Sequence, residues 1–119
     1  MTPTSRTLNW CRKQGWIAGV VEHWIPRLRI RRDLFGVFDV VAAGPGLIYG
    51  IQTTSGSNVS KRLDKIAATP EAKVWIESGG AILVHGWRRP TKTRRKWSLR
   101  VVEASVQDGI IVFTERSTE

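Results

Sequence analysis

The chain is poor in cysteine, histidine and acidic residues, and each shortage narrows what it can be. One cysteine, Cys11, in 119 residues excludes an intramolecular disulfide framework and a cysteine-based zinc site, and it fits a reducing, cytosolic setting. Two histidines, His23 and His85, make a histidine-ligated metal centre a poor expectation. No run of 18 apolar residues occurs, so no transmembrane helix is expected, and the opening MTPTSRTLNWCRKQGW lacks the apolar core of a signal peptide. Ten Asp and Glu stand against nineteen Lys and Arg, a formal charge of +9. Such a surface favours polyanions, and the clustering of the cations favours nucleic acid over a membrane surface. With neither an internal repeat nor a low-complexity linker, residues 1–119 read as one domain.

What is present alternates helix and strand signals. Thr4 or Ser5 caps a short helix running to about Gln14, with Leu8 and Cys11 as its buried stripe and Gly15 as its stop. Trp16 to Ile25, WIAGVVEHWI, is rich in β-branched and aromatic residues and predicts one strand. Strict alternation puts Trp16, Ala18, Val20, Glu22 and Trp24 on one face. Pro26 ends it. A cationic connector follows, with Arg27, Arg29, Arg31 and Arg32 ahead of Asp33, either a solvated loop or an arm that contacts phosphates.

The stretch DLFGVFDVVAAGPGLIYGIQTT, residues 33–54, organises the rest. Two β-rich runs joined at Gly44-Pro45-Gly46 predict a hairpin. Asp39 falls inside the first run and Gln52 near the end of the second. A carboxylate within a strand is costly unless it is paired, hydrogen-bonded or holding a metal. A structural Asp39 at a bulge, with Gln52 and Thr54 as ordinary strand-end polar residues, is the plain alternative.

Beyond the hairpin, Ser57 or Asn58 caps a helix to about Ala68 that carries Lys61, Arg62 and Lys65. The segment 55–58 also offers backbone N–H groups that suit a phosphate. Thr69-Pro70-Glu71 starts a second helix ending at Gly79-Gly80. Residues 81–87, AILVHGW, are a buried-type strand. Arg88, Arg89, Lys92, Arg94, Arg95 and Lys96 form the densest cationic segment, flanked by Trp87 and Trp97, with Trp87 a candidate surface for stacking on bases or sugars. A strand resumes at Trp97, Asp108-Gly109 turns it, Ile110 to Thr114 closes the sheet, and ERSTE frays.

Helix, three strands, helix and strand, with Gly36-Val37-Phe38-Asp39-Val40-Val41 followed by Tyr49-Gly50-Ile51-Gln52-Thr53-Thr54-Ser55, resembles the PD-(D/E)XK nuclease superfamily. The similarity is greatest to its small Holliday junction resolvase-like members from phages and archaea, and it covers residues 5 to 86. The resemblance implies an α/β, restriction-endonuclease-like core (αβββαβ), a mixed central β-sheet flanked by helices. It matches Asp39 to the family's metal-binding aspartate, Gln52 to a position usually held by Glu, Thr54 to the position of the family's lysine, and Glu22 to an additional acid. Lys65 or Lys61 would replace the lysine from the following helix.

Phosphodiester hydrolysis needs an activated water and stabilisation of charge on the phosphate, and Mg²⁺ (or Mn²⁺), with its taste for oxygen ligands, supplies both. The expected ligands are Asp39, Gln52, Glu22 and Asp33. Arg29, Arg31, Arg32, Ser57, Arg62, Arg88, Arg89, Arg94, Arg95 and Lys96 are the expected nucleic-acid contacts. The implied activity is a metal-dependent DNA endonuclease, with branched DNA as a candidate substrate, a homodimer for paired cuts, and host cytoplasm as the compartment if phage-encoded. The runner-up is a nuclease-fold DNA- or RNA-binding module without catalysis. A third reading is a structural protein of a nucleic-acid-rich assembly.

Overall fold

In a computed structural model, which describes residues 1–118, a six-stranded mixed sheet carries helices on both faces. Helix α1 (Pro3–Lys13) begins where Pro3 pre-sets the first turn and the Thr2 hydroxyl accepts the Ser5 N–H at 3.1 Å. It ends in a Schellman motif, in which the Gly15 N–H donates to the Arg12 carbonyl and the Trp16 N–H to that of Cys11, each at 3.0 Å, with Gly15 at φ 83°. The cap is thus Thr2 rather than the predicted Thr4 or Ser5.

The predicted strand over residues 16–25 is two strands. β1 (Ile17–Val20) joins the main sheet, whereas β2 (His23–Ile25) leaves it and pairs with β3 (Ile30–Arg32) as a separate two-stranded arm. The cationic connector is therefore the far half of a hairpin. The run that reads as a strand from Phe35 is also shorter. Residues 33–36 form a tight turn, with Phe35 at φ 56° and Gly36 at φ 72°, and β4 (Val40–Gly44) begins after Asp39. Asp39 nevertheless keeps extended pairing, donating its N–H to the Ile51 carbonyl and accepting the Val21 N–H at 2.9 Å.

β4 turns through Pro45 and Gly46 into β5 (Leu47–Ser55). A 3₁₀ turn (Gly56–Asn58) leads to α2 (Val59–Ala68) and α3 (Pro70–Glu77). The Asn58 side chain does not cap α2; it donates to Ser55 Oγ at 3.1 Å. These helices carry the chain across to β6 (Ala81–Arg88), the one parallel neighbour, paired with β5. β7 (Ser98–Gln107) and β8 (Ile110–Arg116) follow, joined by Asp108-Gly109 with both residues at positive φ, the geometry of a type I′ hairpin. The sheet order is β1-β4-β5-β6-β7-β8. Glu115 and Arg116, expected to fray, lie in β8 and pair with Arg100 and Glu103 of β7; the last residue of ERSTE, Glu119, lies outside the described residues.

Alternation along the central strands builds a core on each face. Ile82 and Val84 of β6 pack under α2 and α3 with Phe38, Val59, Ile66 and Ala72. Leu83 joins Ile51, Val40, Val101 and Cys11 beneath α1. Burial pushes the Cys11 thiol up to about 11, so it stays protonated and inert near neutral pH. No helix among the described residues is long and apolar enough to cross a membrane.

Candidate metal centre

The acidic site sits where the end of β1, the start of β4 and the second half of β5 converge. The tight turn at 33–36 folds the chain back so that Leu34 bridges Phe38. That reversal brings Asp33 beside Asp39. Glu22 arrives from the residue just before the arm and Asp33 from the residue just after it. Oxygens of Glu22, Asp33 and Asp39 all lie within 4.8 Å of one another. They line an open cavity of about 330 Å³ with Gln52, Thr53, Thr54 and Ser55 of β5, Arg62 of α2, and Pro3 and Thr4 of α1.

Asp39 is fixed from one side. Its Oδ2 accepts from Gln52 Nε2 at 2.8 Å, from the Thr53 N–H at 2.8 Å and from the Thr53 hydroxyl at 3.1 Å. Thr53 is in turn held by Thr4 of α1, hydroxyl to hydroxyl at 3.0 Å. Because Gln52 spends its amide N–H on Asp39, its Oε1 remains buried with no hydrogen-bond partner among the described residues, on a side chain only 1% exposed. Such an atom costs on the order of 1–3 kcal/mol unless something meets it. The carboxylates of Glu22, Asp33 and Asp39 and the Gln52 amide oxygen are oxygen donors, the set a hard dication takes, so these residues fit Mg²⁺ or Mn²⁺.

The electrostatics agree with crowded acids. Burial, reinforced by the hydrogen bond Asp39 donates to Asp33 and by the Asp33 charge, raises Asp39 to about 7. Burial alone would raise Asp33 too, but the hydrogen bond to Asp39 and the Lys65 charge outweigh it and hold Asp33 below the usual carboxylate range. The two carboxyls thus share one proton, carried on Asp39. Lys65 Nζ lies 3.3 Å from Asp33 Oδ2.

Of the sequence-derived candidates, Asp39, Gln52, Thr54, Glu22 and Asp33 come together, and Lys65 reaches them through Asp33. Lys61, a turn earlier on α2, is exposed with no ion pair among the described residues. Thr54 is buried in the cavity wall and its hydroxyl has no hydrogen bond among the described residues. Arg62 lines the cavity. Arg31 pairs with Glu22 at 3.7 Å; Arg29, at φ 53°, and Arg32 stand on the exposed arm. Ser57 meets Ser55 Oγ at 3.2 Å. Arg94 turns inward to the Arg89 carbonyl at 2.7 Å, bracing the β6–β7 loop, while Arg88, Arg89, Arg95 and Lys96 are exposed. The N–H and hydroxyl that Thr53 gives to Asp39, and the hydroxyl by which Thr4 holds Thr53, are contacts the sequence does not announce: the signal for Thr53 is its place between Gln52 and Thr54, and a backbone N–H belongs to almost every residue type. No protein-family model matches the chain, and neither a curated protein nor a solved structure matches it.

Proposed function

We propose that the chain is a metal-dependent endonuclease with a restriction-endonuclease-like core, hydrolysing phosphodiester bonds of DNA at the Glu22–Asp33–Asp39 cavity. The observation that carries this reading is the unpartnered Gln52 Oε1 beside three carboxylates whose oxygens lie within 4.8 Å of one another. Buried Gln oxygens and clustered acids are both costly, and a dication relieves both. Asp39, Asp33, Glu22 and Gln52 would hold Mg²⁺ or Mn²⁺, which when bound supplies Lewis-acid polarisation of the phosphate and acidifies a water.

The chain's own residues do the rest. Gln52 and Thr53 fix the Asp39 carboxyl through its Oδ2. Asp33 holds Lys65 at the cavity edge, where its ammonium can neutralise charge gathering on the phosphate. Arg62 adds a second cation on the same wall. The residue at the position of the missing lysine, Thr54, is uncharged, so this work falls to α2. Arginines of the arm and of the β6–β7 loop suit backbone phosphates. A branched substrate cut symmetrically calls for two copies of the chain.

The test is cleavage of labelled duplex, single-stranded and four-way-junction DNA with Mg²⁺, Mn²⁺ or EDTA. Cleavage should need the metal, vanish in folded Asp39→Asn, and fall by about 10² in Lys65→Ala. Binding without cleavage under every metal would sink the enzyme and leave a nucleic-acid-binding module.

A further inference from the structure

A second cavity, of about 560 Å³, opens beneath α1 beside the first. Its walls carry three indoles, Trp10, Trp87 and Trp97, and three cations, Arg6, Lys13 and Arg88, with no carboxylate among the described residues. The indoles are held in place. Trp87 Nε1 donates to the Thr7 hydroxyl at 3.0 Å, and that hydroxyl meets His85 Nδ1 at 3.0 Å. The Arg6 guanidinium lies 3.7 Å above the centre of the Trp97 ring. Two polar atoms in this wall, Arg6 Nε and Ser98 Oγ, are buried without a hydrogen-bond partner among the described residues. A cavity with aromatic faces, cations, unmet polar atoms and no acid among the described residues suits a flat, anionic ligand.

Its position says which one. Ser55, in the wall of the acidic cavity, is the register partner of Trp87 across the parallel β5–β6 pair. The Arg88 side chain lies over Gly56, where a Cβ on Gly56 would come within 2.5 Å of Arg88 Cγ. A chain of phosphates leaving the acidic cavity over Ser55 and Gly56 therefore meets Arg88 first and the indoles next. We propose that this second cavity holds one unstacked base with its phosphate, the nucleotide neighbouring the scissile bond, so that the substrate is nucleic acid with an unpaired nucleotide beside the cut. Stacking on indole accepts any base because every base has a π-face, whereas a base inside a duplex already has both faces covered by its neighbours and offers none to an indole. The inference rests on the acidic cavity being the place of cutting.

The test measures affinity in EDTA for three duplexes of one length: fully paired, carrying one unpaired 2-aminopurine, and carrying an abasic residue at that position. The unpaired base should bind about tenfold tighter than either control, with a change in its fluorescence. Trp97→Ala and Arg6→Gln should each bring that ratio close to one, and Trp97→Phe should keep most of it. Equal affinity for the abasic duplex would overturn the proposal, since only phosphate would then be read. A ratio unaffected by Trp97→Ala and Arg6→Gln would overturn it as well, by putting the base elsewhere. The rise in melting temperature on adding Mn²⁺ without DNA, present in the wild-type chain and absent in Asp39→Asn, is measured in parallel and reports on the acidic cavity alone, so either reading can fail without the other.

Discussion

Asp39 keeps a proton to about pH 7, and a cation that binds there must displace it. Metal affinity should then climb with pH and level off above 7. The expected outcome is a larger rise in melting temperature from 1 mM-scale Mn²⁺ at pH 8 than at pH 5.5, absent in Asp39→Asn; a rise equal at both pH values would contradict it. Gln52 explains itself through the same crowding. A glutamate there would set a fourth carboxylate against Asp39 Oδ2, where the amide N–H now donates at 2.8 Å. Gln52→Glu should therefore destabilise the metal-free protein at pH 8 by about 1–3 kcal/mol, the cost of replacing a buried hydrogen bond by repulsion. Added Mn²⁺ should recover most of it, as read by urea denaturation with and without the ion.

Among the elements, the hairpin β4–β5 depends on close approach. The Phe38 ring occupies the space where a Cβ on Gly50 would sit, 2.5 Å away, and Phe38 is fully buried. Gly50→Ala should cost about 1–3 kcal/mol by overpacking, visible as a lower urea midpoint with an unchanged slope. The arm behaves differently, because little of it is buried. Replacing Arg29, Arg31 and Arg32 by Gln should leave stability nearly untouched, since the Arg31–Glu22 pair is solvent-exposed on the arginine side. DNA binding should weaken, and the slope of log affinity against log salt should fall by about 2 to 3 if each arginine meets a phosphate. The elements also mark what was legible in the sequence. Hairpin turns at Pro45-Gly46 and Asp108-Gly109, the helix stop at Gly15 and the buried strand at 81–87 all follow from local chemistry. The division of residues 16–25 between two sheets does not, because β-propensity is the same on either side of Val21 and only the tertiary pairing of Val21 with Asp39 decides it. The turn at 33–36 was hidden for a related reason: Phe35 is a strand former held at positive φ. Asp39 and Gln52 were visible as polar groups misplaced in strands, whereas their convergence with Glu22 and Asp33 and the orphaned Gln52 oxygen needed three dimensions.

Two buried titrations set how the whole molecule responds to acid. His85, fully buried, is held down to about 3 by burial, so the unfolded chain takes up a proton below about 6.5 that the folded one refuses, and stability rises with pH from about 3 to 6.5. Asp39 acts in the opposite sense. Its folded pKa, raised to about 7, gives stability that is complete below about 3.8 and is lost as pH rises through 7. The two slopes, each about 1.4 kcal/mol per pH unit, nearly cancel between pH 4 and 6.5. Wild type should therefore show an almost level melting temperature across that window, while Asp39→Asn, left with the slope from His85, should melt higher at pH 6.5 than at pH 4.5. Calorimetry across the window decides it. An indole N–H only donates, so the Thr7 hydroxyl accepts from Trp87 and ties it to the buried His85 ring.

The arm leaves the sheet after Glu22 and returns at Asp33, so both of its roots are ion ligands in the proposed centre. A dication bridging them would act as a clasp on the loop 23–32, removing its freedom to open much as a covalent cross-link does. Amide hydrogen exchange across residues 23–32 should slow when Mn²⁺ is added and should return to the metal-free rate with EDTA, tying the stiffness of the arginine-bearing hairpin to the ion beneath it.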